Sequence, residues 1–518
     1  MGQGKKKKKE DLSSIHGEKC WPLVDKRSPC EEACPIHMDI PSYVMALAQG
    51  RIPEALDIVR RTNPFPSICG RVCHHPCEEA CTRALIDRPV AIEWLKREIA
   101  RYEQRNGGRP PRIKKRREEK VAVIGSGPAG LTAAYDLALK GYRVSVFEAL
   151  PVAGGMMAAA IPDFNLPSSV VRFEVDYIRH LGVEIKTNTS LGRDFTLEDL
   201  QDQGYRAILL ATGAWKSPDL PIPGTELRGF VQALPFLREV KLGEKRFLKG
   251  KTVIIGGGNV AVDAARTAVR LGAEKVILAC LESRPEMPAF PWEIQKADDE
   301  GVTILPSLAP QKILPGKGGK VKGVVFARVA ALTKDAEGRL SWKLAEGETT
   351  LEADWVIAAI GQIPDPPSIP GLAVTERGTV QTDPETLATP VSGIFAAGDA
   401  VRYPGTIVEA IAAGHRAAKS INHFLKGKPL VSKSEKKGRE VFRLDEKTEI
   451  PAFLVRKERW DMPTLSPKDA VRSFEETELG YTPWQAREEA KRCLNCRMCG
   501  QCIFDKGQLC FETSLRLL

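Results

Sequence analysis

The 518-residue chain carries thirteen cysteines, and their placement defines most of the chemistry it could perform. Seven stand between Cys20 and Cys81, five between Cys493 and Cys510, and Cys280 alone lies between the two groups. In a small exported protein this count would mean disulfides. In a large chain whose opening lysines run into polar sequence without an apolar signal core, it points to metal or redox chemistry. The first group reads Cys20, then SPCEEACP with Cys30 and Cys34, then ICGRVCHHPCEEAC with Cys69, Cys73, Cys77 and Cys81. Thiolates three and four residues apart on loops and short helices can gather around one centre. The second group, Cys493, Cys496, Cys499 and Cys502 with Cys510 beyond, repeats C-x-x-C close to ferredoxin spacing. Zinc is the competing reading, but zinc favours isolated four-ligand sets.

Two glycine loops supply the other chemistry. Gly125, Gly127 and Gly130 form G-x-G-x-x-G between the strand-like KVAVIG and the helix-like LTAAYDLALKG. The first glycine permits the tight turn, the second admits a pyrophosphate to the backbone, and the third allows close helix–strand packing. Free amides at the helix start then favour the phosphates. Glu148 ends the next strand, placed to accept from ribose hydroxyls. A second copy follows at KTVIIG, GGNVA, VDAARTAVRLGA, with Gly256, Gly258 and Ala261 as a G-x-G-x-x-A variant and Glu282 after its next strand. A carboxylate there accepts from the 2'-hydroxyl of NAD and repels the 2'-phosphate of NADP, so NAD is expected, with Arg284 nearby as a residue that could still meet a phosphate.

The elements that must position these groups follow from periodicity and breakers. Residues 40–62 predict two short helices broken at Gly50, and another is predicted from Pro89 to Tyr102. The Pro/Gly/basic stretch GGRPPRIKKRREE marks a boundary near residue 118. Buried strands are predicted to end at ATG, Ala211 to Gly213, and at GIFAAGDA, with Asp399 exposed just beyond. These two strand ends, in register with the glycine loops, resemble those of two-dinucleotide-binding flavoproteins, and the resemblance implies an α/β fold class: two Rossmann-like dinucleotide-binding domains, the NAD domain inserted in the FAD domain, preceded by an α-helical iron-sulfur domain and followed by a cysteine-rich C-terminal extension. The boundaries are 1–18 for a basic disordered tail, 19–117 for the helical domain, 118–216 and 366–426 for the two FAD parts, 217–365 for the NAD domain and 427–518 for the extension.

Residues 20–425 resemble the small subunit of glutamate synthase and its relatives, which include the large subunit of bifurcating NADH-dependent ferredoxin:NADP oxidoreductase and the N-terminal half of dihydropyrimidine dehydrogenase. The resemblance rests on CPIHMDIPSYV, NPFPSICGRVC, CEEAC, RPVAIEWLKR, VAVIGSGPAGL, FEALPVAGGMM, GGGNVAVDAARTAVRLGA, RPEMP, and GIFAAGDA with IVEAIAAG. It implies that the first loop takes FAD, with Asp399 at the ribityl-phosphate region and the helix start at Thr406 facing the flavin ring. The candidate FAD residues are Gly125, Gly127, Pro128, Ala129, Gly130, Glu148, Gly155, Met156, Ala211, Thr212, Gly213, Gly398, Asp399, Thr406 and Ile407. Those for NAD(H) are Gly256, Gly258, Asn259, Val260, Ala261, Glu282, Arg284 and Gly361. Because the cofactors carry the chemistry, no catalytic acid or base is nominated.

The resemblance also implies two 4Fe-4S clusters in the N-terminal domain, and here the chain departs from the family. Relatives begin with RCLxC shortly before the CP motif; this chain has only Cys20 there, which leaves seven cysteines for eight ligand positions. A non-cysteine ligand is known in the family on the helix after the last cysteine, where Glu93 and Lys96 stand, and of these only the Glu93 carboxylate suits a metal. The segment LGYTPWQAREEAKRCLNC near the C-terminus looks like the one that usually precedes the first family cysteines. Extended into the C-x-x-C run, it is expected to hold a third 4Fe-4S cluster near a partner surface. NADP-binding members carry adjacent arginines where this chain has Leu281 and Glu282.

Charge narrows the function classes. A net charge of +10 is spread over 76 basic and 66 acidic residues, its dense blocks being Lys5 to Lys9 and Lys114 to Arg117. Without interleaved aromatics these read as a solvated tail and linker, so nucleic acid is not an expected partner, nor is membrane insertion. A cytoplasmic electron-transfer subunit is expected, exchanging hydride between NAD(H) and FAD and single electrons with a catalytic redox subunit. A ferredoxin-like subunit is a further candidate partner, and an NADPH-dependent glutamate synthase small chain is the alternative reading. A thioredoxin-reductase-like enzyme would need a redox C-x-x-C near the flavin, where only Cys280 is available. A non-catalytic cofactor scaffold would show no NADH-driven dye reduction.

Overall fold

The computed structural model describes residues 27–496 except 109, 114, 244–246, 336–339, 404, 431–440 and 442–454. Cys20, Cys499, Cys502 and Cys510 lie outside the described residues.

The N-terminal region is helical, as its breakers dictate. Helices span Pro29–Ala33, Ile40–Ala48, Ile52–Arg60, Pro66–Val72 and Pro76–Glu79, each with a proline in its first turn, where the missing N–H costs nothing. Gly50, at φ 76°, makes the break between the second and third. The following helix is Ile92–Arg105 and not Pro89 to Tyr102. Its start is delayed because the Ala91 N–H donates to the Glu489 carboxylate at 3.0 Å, and its end runs on to the glycine at 107.

Two parallel sheets follow. Strands β1 (Lys120–Ile124), β2 (Arg143–Phe147), β3 (Glu184–Lys186) and β4 (Tyr205–Leu210) open the first. Next come β5 (Phe230–Gln232), β6 (Lys251–Ile255), β7 (Lys275–Ala279) and β8 (Thr303–Leu305), then the long β9 (Leu308–Pro315), β10 (Val321–Lys334) and β11 (Leu340–Glu352), and β12 (Trp355–Ala358). Strand β13 (Ile394–Ala396) returns to the first sheet. The orders are β13-β4-β1-β2-β3 and β5-β12-β6-β7-β8, with β11-β10-β9 as a separate antiparallel sheet. Runs such as VAVI and TVII are buried at every position, as expected for parallel strands covered on both faces.

The helical region shares a core with the first sheet: Tyr43, Ile68 and Ile99 belong to one cluster with Val121, Leu209 and Ile411. Arg60 fixes the junction. Its guanidinium donates to Glu103 and, at 2.8 Å, to Glu174, whose other oxygen accepts the Ser67 N–H at 2.8 Å. Glu174 is fully buried, so removing Arg60 would leave a buried charge unpaired, at a cost of about 3–5 kcal/mol.

The described C-terminal segment, 455–496, contributes two short helices, Pro467–Ala470 and Pro483–Ala490, and lies along the helical region. Buried Arg97 pairs with Glu476 at 2.9 Å, and Lys296 of the second sheet's domain reaches Glu478 at 3.0 Å. Among the described residues no helix is long and apolar enough to cross a membrane.

Candidate functional site

The first loop joins β1 to the helix Pro128–Leu139. Gly125 sits at φ +101°, and a Cβ there would stand 2.3 Å from the Ala211 carbonyl oxygen. One on Gly130 would stand 2.1 Å from the Gly125 carbonyl oxygen, whereas nothing lies within 4 Å of one on Gly127. The three positions therefore serve turn, approach and packing in the order the motif requires. Buried Glu148 braces the loop: one oxygen accepts from the Ser126 N–H at 2.9 Å and its hydroxyl at 2.5 Å, the other from the Leu150 N–H at 2.8 Å. The Ser126 hydroxyl in turn accepts the Gly154 N–H, which anchors the turn carrying Gly155 and Met156.

This loop opens onto a cavity of about 540 Å³. Gly125, Gly127, Pro128, Ala129, Glu148, Gly155, Met156, Ala211, Thr212, Gly213, Gly398, Asp399, Thr406 and Ile407 all line it; Gly130 supports it from behind. The helix Ile407–Leu425 begins at its wall, with Thr406 and Glu409 in a capping box. Gly414 lets that helix close on the Ala129 carbonyl oxygen, 2.5 Å from where a Cβ would be. Asp399 is half-buried and not exposed as the sequence suggests; burial and the Glu409 charge push its carboxyl up to about 7. The opposite wall is formed by Val260, a candidate for the second site, together with Leu234, Leu237, Arg238 and Asp263, which the sequence reading missed. Burial and Glu293 likewise push Asp263 up to about 7. Only the apolar spacing of the helix Asn259–Arg270 hints that one face of it meets another domain.

The second loop joins β6 to that helix. Gly256 is at φ +138° with the Ala359 carbonyl oxygen 2.2 Å from its would-be Cβ, Gly258 faces open space, and Ala261 is buried. Gly361, at φ +116°, stands beyond the end of β12. Glu282 lies against the loop, its carboxylate 2.8 Å from a Cβ on Gly257. Arg284 is exposed and paired with Asp298, so its charge is engaged away from the loop. The segment after it folds back: the Ala289 N–H donates to the Gly257 carbonyl at 3.1 Å and the Phe290 N–H to the Asn259 side chain at 2.9 Å. Phe290 stacks on Trp292 at 4.8 Å and on His74 at 5.9 Å, and His75 meets Trp292 at 4.5 Å.

The described thiols fall into two sets. Cys34, Cys69, Cys73 and Cys77 lie within electrostatic reach of one another along the buried face of the helix Ile92–Arg105. Gly70 makes this approach possible, for a Cβ there would stand 2.6 Å from the Arg97 Cα. Burial pushes the Cys69 thiol up to about 12 and Cys73 to about 11, with Lys96 pulling both back. Buried Lys96 answers in kind: burial opposes its charge, but Cys73, Cys69 and Cys77 outweigh that and raise it. Beside these thiols, one Glu93 oxygen accepts the Cys73 N–H at 3.0 Å and the other meets His75 Nδ1 at 2.9 Å.

Cys30, Cys81, Cys493 and Cys496 form the second set and line a different, apolar cavity with Val44, Val90 and Ile92. Cys493 and Cys496, expected from their C-x-x-C spacing to share a centre with Cys499 and Cys502, pack against the N-terminal region, while Cys499 and Cys502 lie outside the described residues. No group of three or more His, Cys, Asp or Glu among the described residues stands at single-ion spacing.

Residues 119–414 match the family model for pyridine nucleotide-disulphide oxidoreductases, and residues 6–108 match that for dihydropyrimidine dehydrogenase domain II, 4Fe-4S cluster. The chain belongs to the pyridine nucleotide-disulphide oxidoreductase family. Within it, the chain is 40% identical over 511 residues to the NADP(+)-dependent formate dehydrogenase subunit beta of Moorella thermoacetica, covering 92% of this chain and 71% of that protein. It is 38% identical to the NADPH-Fe(3+) oxidoreductase subunit beta of Geobacter sulfurreducens, over 92% and 76%. With the glutamate synthase [NADPH] small chain of Azospirillum brasilense it shares 36% identity, over 77% and 86%. FprA from Mycobacterium tuberculosis, solved in complex with NADPH, has the same fold over 60% of this chain and 85% of its own, with TM-score 0.52 at 20% identity.

The glutamate synthase small-subunit resemblance therefore holds, and the chain is an iron-sulfur flavoprotein oxidoreductase of this family. Its residues fit the groups the family implies. The Thr212 hydroxyl is buried without a partner in the wall of the first cavity, and Gly127 and Gly258 leave room at each loop for a pyrophosphate. Thiols in sets of four match iron-sulfur chemistry. None of the residues lining the first cavity is a cysteine, and Cys280 is buried, its thiol pushed up to about 12 by burial and Glu282. The redox disulfide for which the family is named has no counterpart among the residues lining that cavity.

Proposed function

We propose that the chain is an electron-transfer subunit that exchanges hydride between NAD(H) and FAD and passes single electrons through 4Fe-4S clusters to or from a catalytic partner. The observation that carries this reading is the shared cavity. Its wall is built from the first glycine loop on one side and from Val260 and Asp263, on the helix of the second loop, on the other. Bound FAD and nicotinamide supply the hydride exchange, and the clusters supply one-electron steps. The chain's part is to hold and orient: Gly127 and Gly258 admit the phosphates, Glu148 fixes the first loop, and Asp399 with Thr406 bounds the flavin end. The turn at His74 lies within electrostatic reach of Glu409 on the capping helix, which sets the thiols beginning at Cys73 beside the flavin wall. The catalytic partner accords with the relatives named as beta subunits and a small chain.

Glu282 against the second loop favours NAD. A 2'-phosphate beside that carboxylate costs on the order of 1–3 kcal/mol, or roughly 10- to 100-fold in kcat/KM. The test is reduction of an artificial dye by NADH and by NADPH, with the Glu282→Arg variant alongside. A larger kcat/KM for NADH, narrowed or reversed in the variant, is expected. Better use of NADPH by the native protein would overturn the preference and favour the second reading, an NADPH-dependent subunit, to which the names of the relatives point.

A further inference from the structure

We infer that Cys30, Cys81, Cys493 and Cys496 together ligate one 4Fe-4S cluster, a site built from the two ends of the chain. The inference rests on the iron-sulfur reading above and specifies which thiols share a centre. All four line the same cavity, whose remaining wall is largely apolar. Apart from Thr82 and Arg83 the other lining residues are apolar, and a space ringed by four thiols suits a soft metal-sulfur centre.

Each thiol is held by its own anchor. Cys30 lies in the first turn of the helix Pro29–Ala33, capped by the Ser28 side chain, whose hydroxyl also meets the Cys30 Sγ at 3.2 Å. Cys81 leads into the turn Thr82–Leu85, its carbonyl accepting the Ala84 N–H at 2.9 Å. The C-terminal pair is fixed by charge. Glu489 and Arg492 are essentially unexposed and pair at 2.6 Å. Glu489 accepts the Ala91 and Trp460 N–H groups, while Arg492 reaches Asp87 at 2.7 Å and the Arg88 carbonyl at 2.6 Å. Buried charges this fully partnered tolerate little displacement, so the segment running from Arg492 into Cys493 and Cys496 is registered against the N-terminal region. The assignment leaves every described cysteine except Cys280 in a set of four. It also replaces the grouping of Cys493 and Cys496 with Cys499 and Cys502.

The test is additivity in the full chain, purified without oxygen, with FAD content as the measure of folding. Cys30→Ala and Cys496→Ala should each lose about four irons and abolish the same low-temperature EPR signal, and the double variant should lose no more than either. Loss of about eight irons in the double variant, with two signals gone, would place the two cysteines on different clusters and overturn the assignment. Differential alkylation of the native protein needs no variant to fold: during chelator-driven cluster loss, Cys30, Cys81, Cys493 and Cys496 should become reactive with one common rate. Separate rates for the N-terminal and C-terminal pairs would also overturn it. A native protein holding zinc in place of iron would instead remove the iron-sulfur reading itself.

Discussion

The two glycine loops follow one plan in sequence and differ in what surrounds them. At the first, Glu148, the turn at Gly155, the β13 end and the helix Ile407–Leu425 enclose a cavity whose far wall belongs to the other unit. At the second, Ala289 and Phe290 are hydrogen-bonded back onto the loop, and Glu282 and Arg284 face outward in part. The contrast is that between a resident group, walled in by two domains, and a substrate that must come and go over one edge. A motif thus identifies the phosphate site, while the chain brought against it sets how long the ligand stays.

The strongest way to break the comparison is to fill each tight glycine. Gly125→Val and Gly256→Val both force a positive φ and bring Cβ within about 2.3 Å of a carbonyl oxygen, at a cost on the order of 2–5 kcal/mol. The Gly125 variant should purify without flavin, by absorbance, whereas the Gly256 variant should keep flavin and lose dye reduction by nicotinamide. Flavin loss from both would mean that the second loop also supports the first cavity.

A smaller effect is expected from the open glycines. Gly127 and Gly258 have negative φ and nothing within 4 Å of an added Cβ, so alanine should change the melting free energy by less than about 1 kcal/mol. Gly258→Ala should nevertheless raise the nicotinamide KM about tenfold or more, since the backbone must meet the pyrophosphate there. An unchanged KM would place the phosphates elsewhere.

A further effect, read by pH and confined to the first site, is electrostatic. Burial, with Glu409, raises the Asp399 carboxyl to about 7 in the folded chain, so its contribution is full below the ordinary carboxyl range. As pH rises the unfolded chain releases the proton first, and that stability is lost progressively up to about pH 7. Apoprotein melts between pH 4 and 8 should therefore fall with pH relative to Asp399→Asn, and parallel curves would count against the burial.

Local chemistry was legible in the sequence. Glycine turns, proline helix starts and runs such as VAVI and TVII announce themselves within a few residues, so both parallel sheets and the short N-terminal helices could be read in advance. What depended on distant chain could not. The antiparallel sheet of β9 to β11 lacks clean alternation, since β11 is exposed along most of its length. Asp263 and Arg238 gain their place only by domain packing. The contacts of Glu93 with the Cys73 N–H and His75 also come from chain brought together by the fold. Likewise, Cys493 and Cys496 sit at ferredoxin spacing from Cys499, but spacing along the chain says nothing of Cys30, which lines the same cavity as they do.

The Glu489 carboxylate and the Ala91 amide it accepts from are 398 residues apart. At a synthesis rate of about 5–20 residues per second, the partner for that amide leaves the ribosome roughly 20 to 80 s after the amide itself. Through that interval the nascent helical region must wait with its Arg83 and Asp87 groups, and the thiols of Cys30 and Cys81, facing solvent or a helper protein. With Cys30, Cys81, Cys493 and Cys496 on one cluster, as inferred above, that centre can be completed only after both dinucleotide units have had the chance to fold.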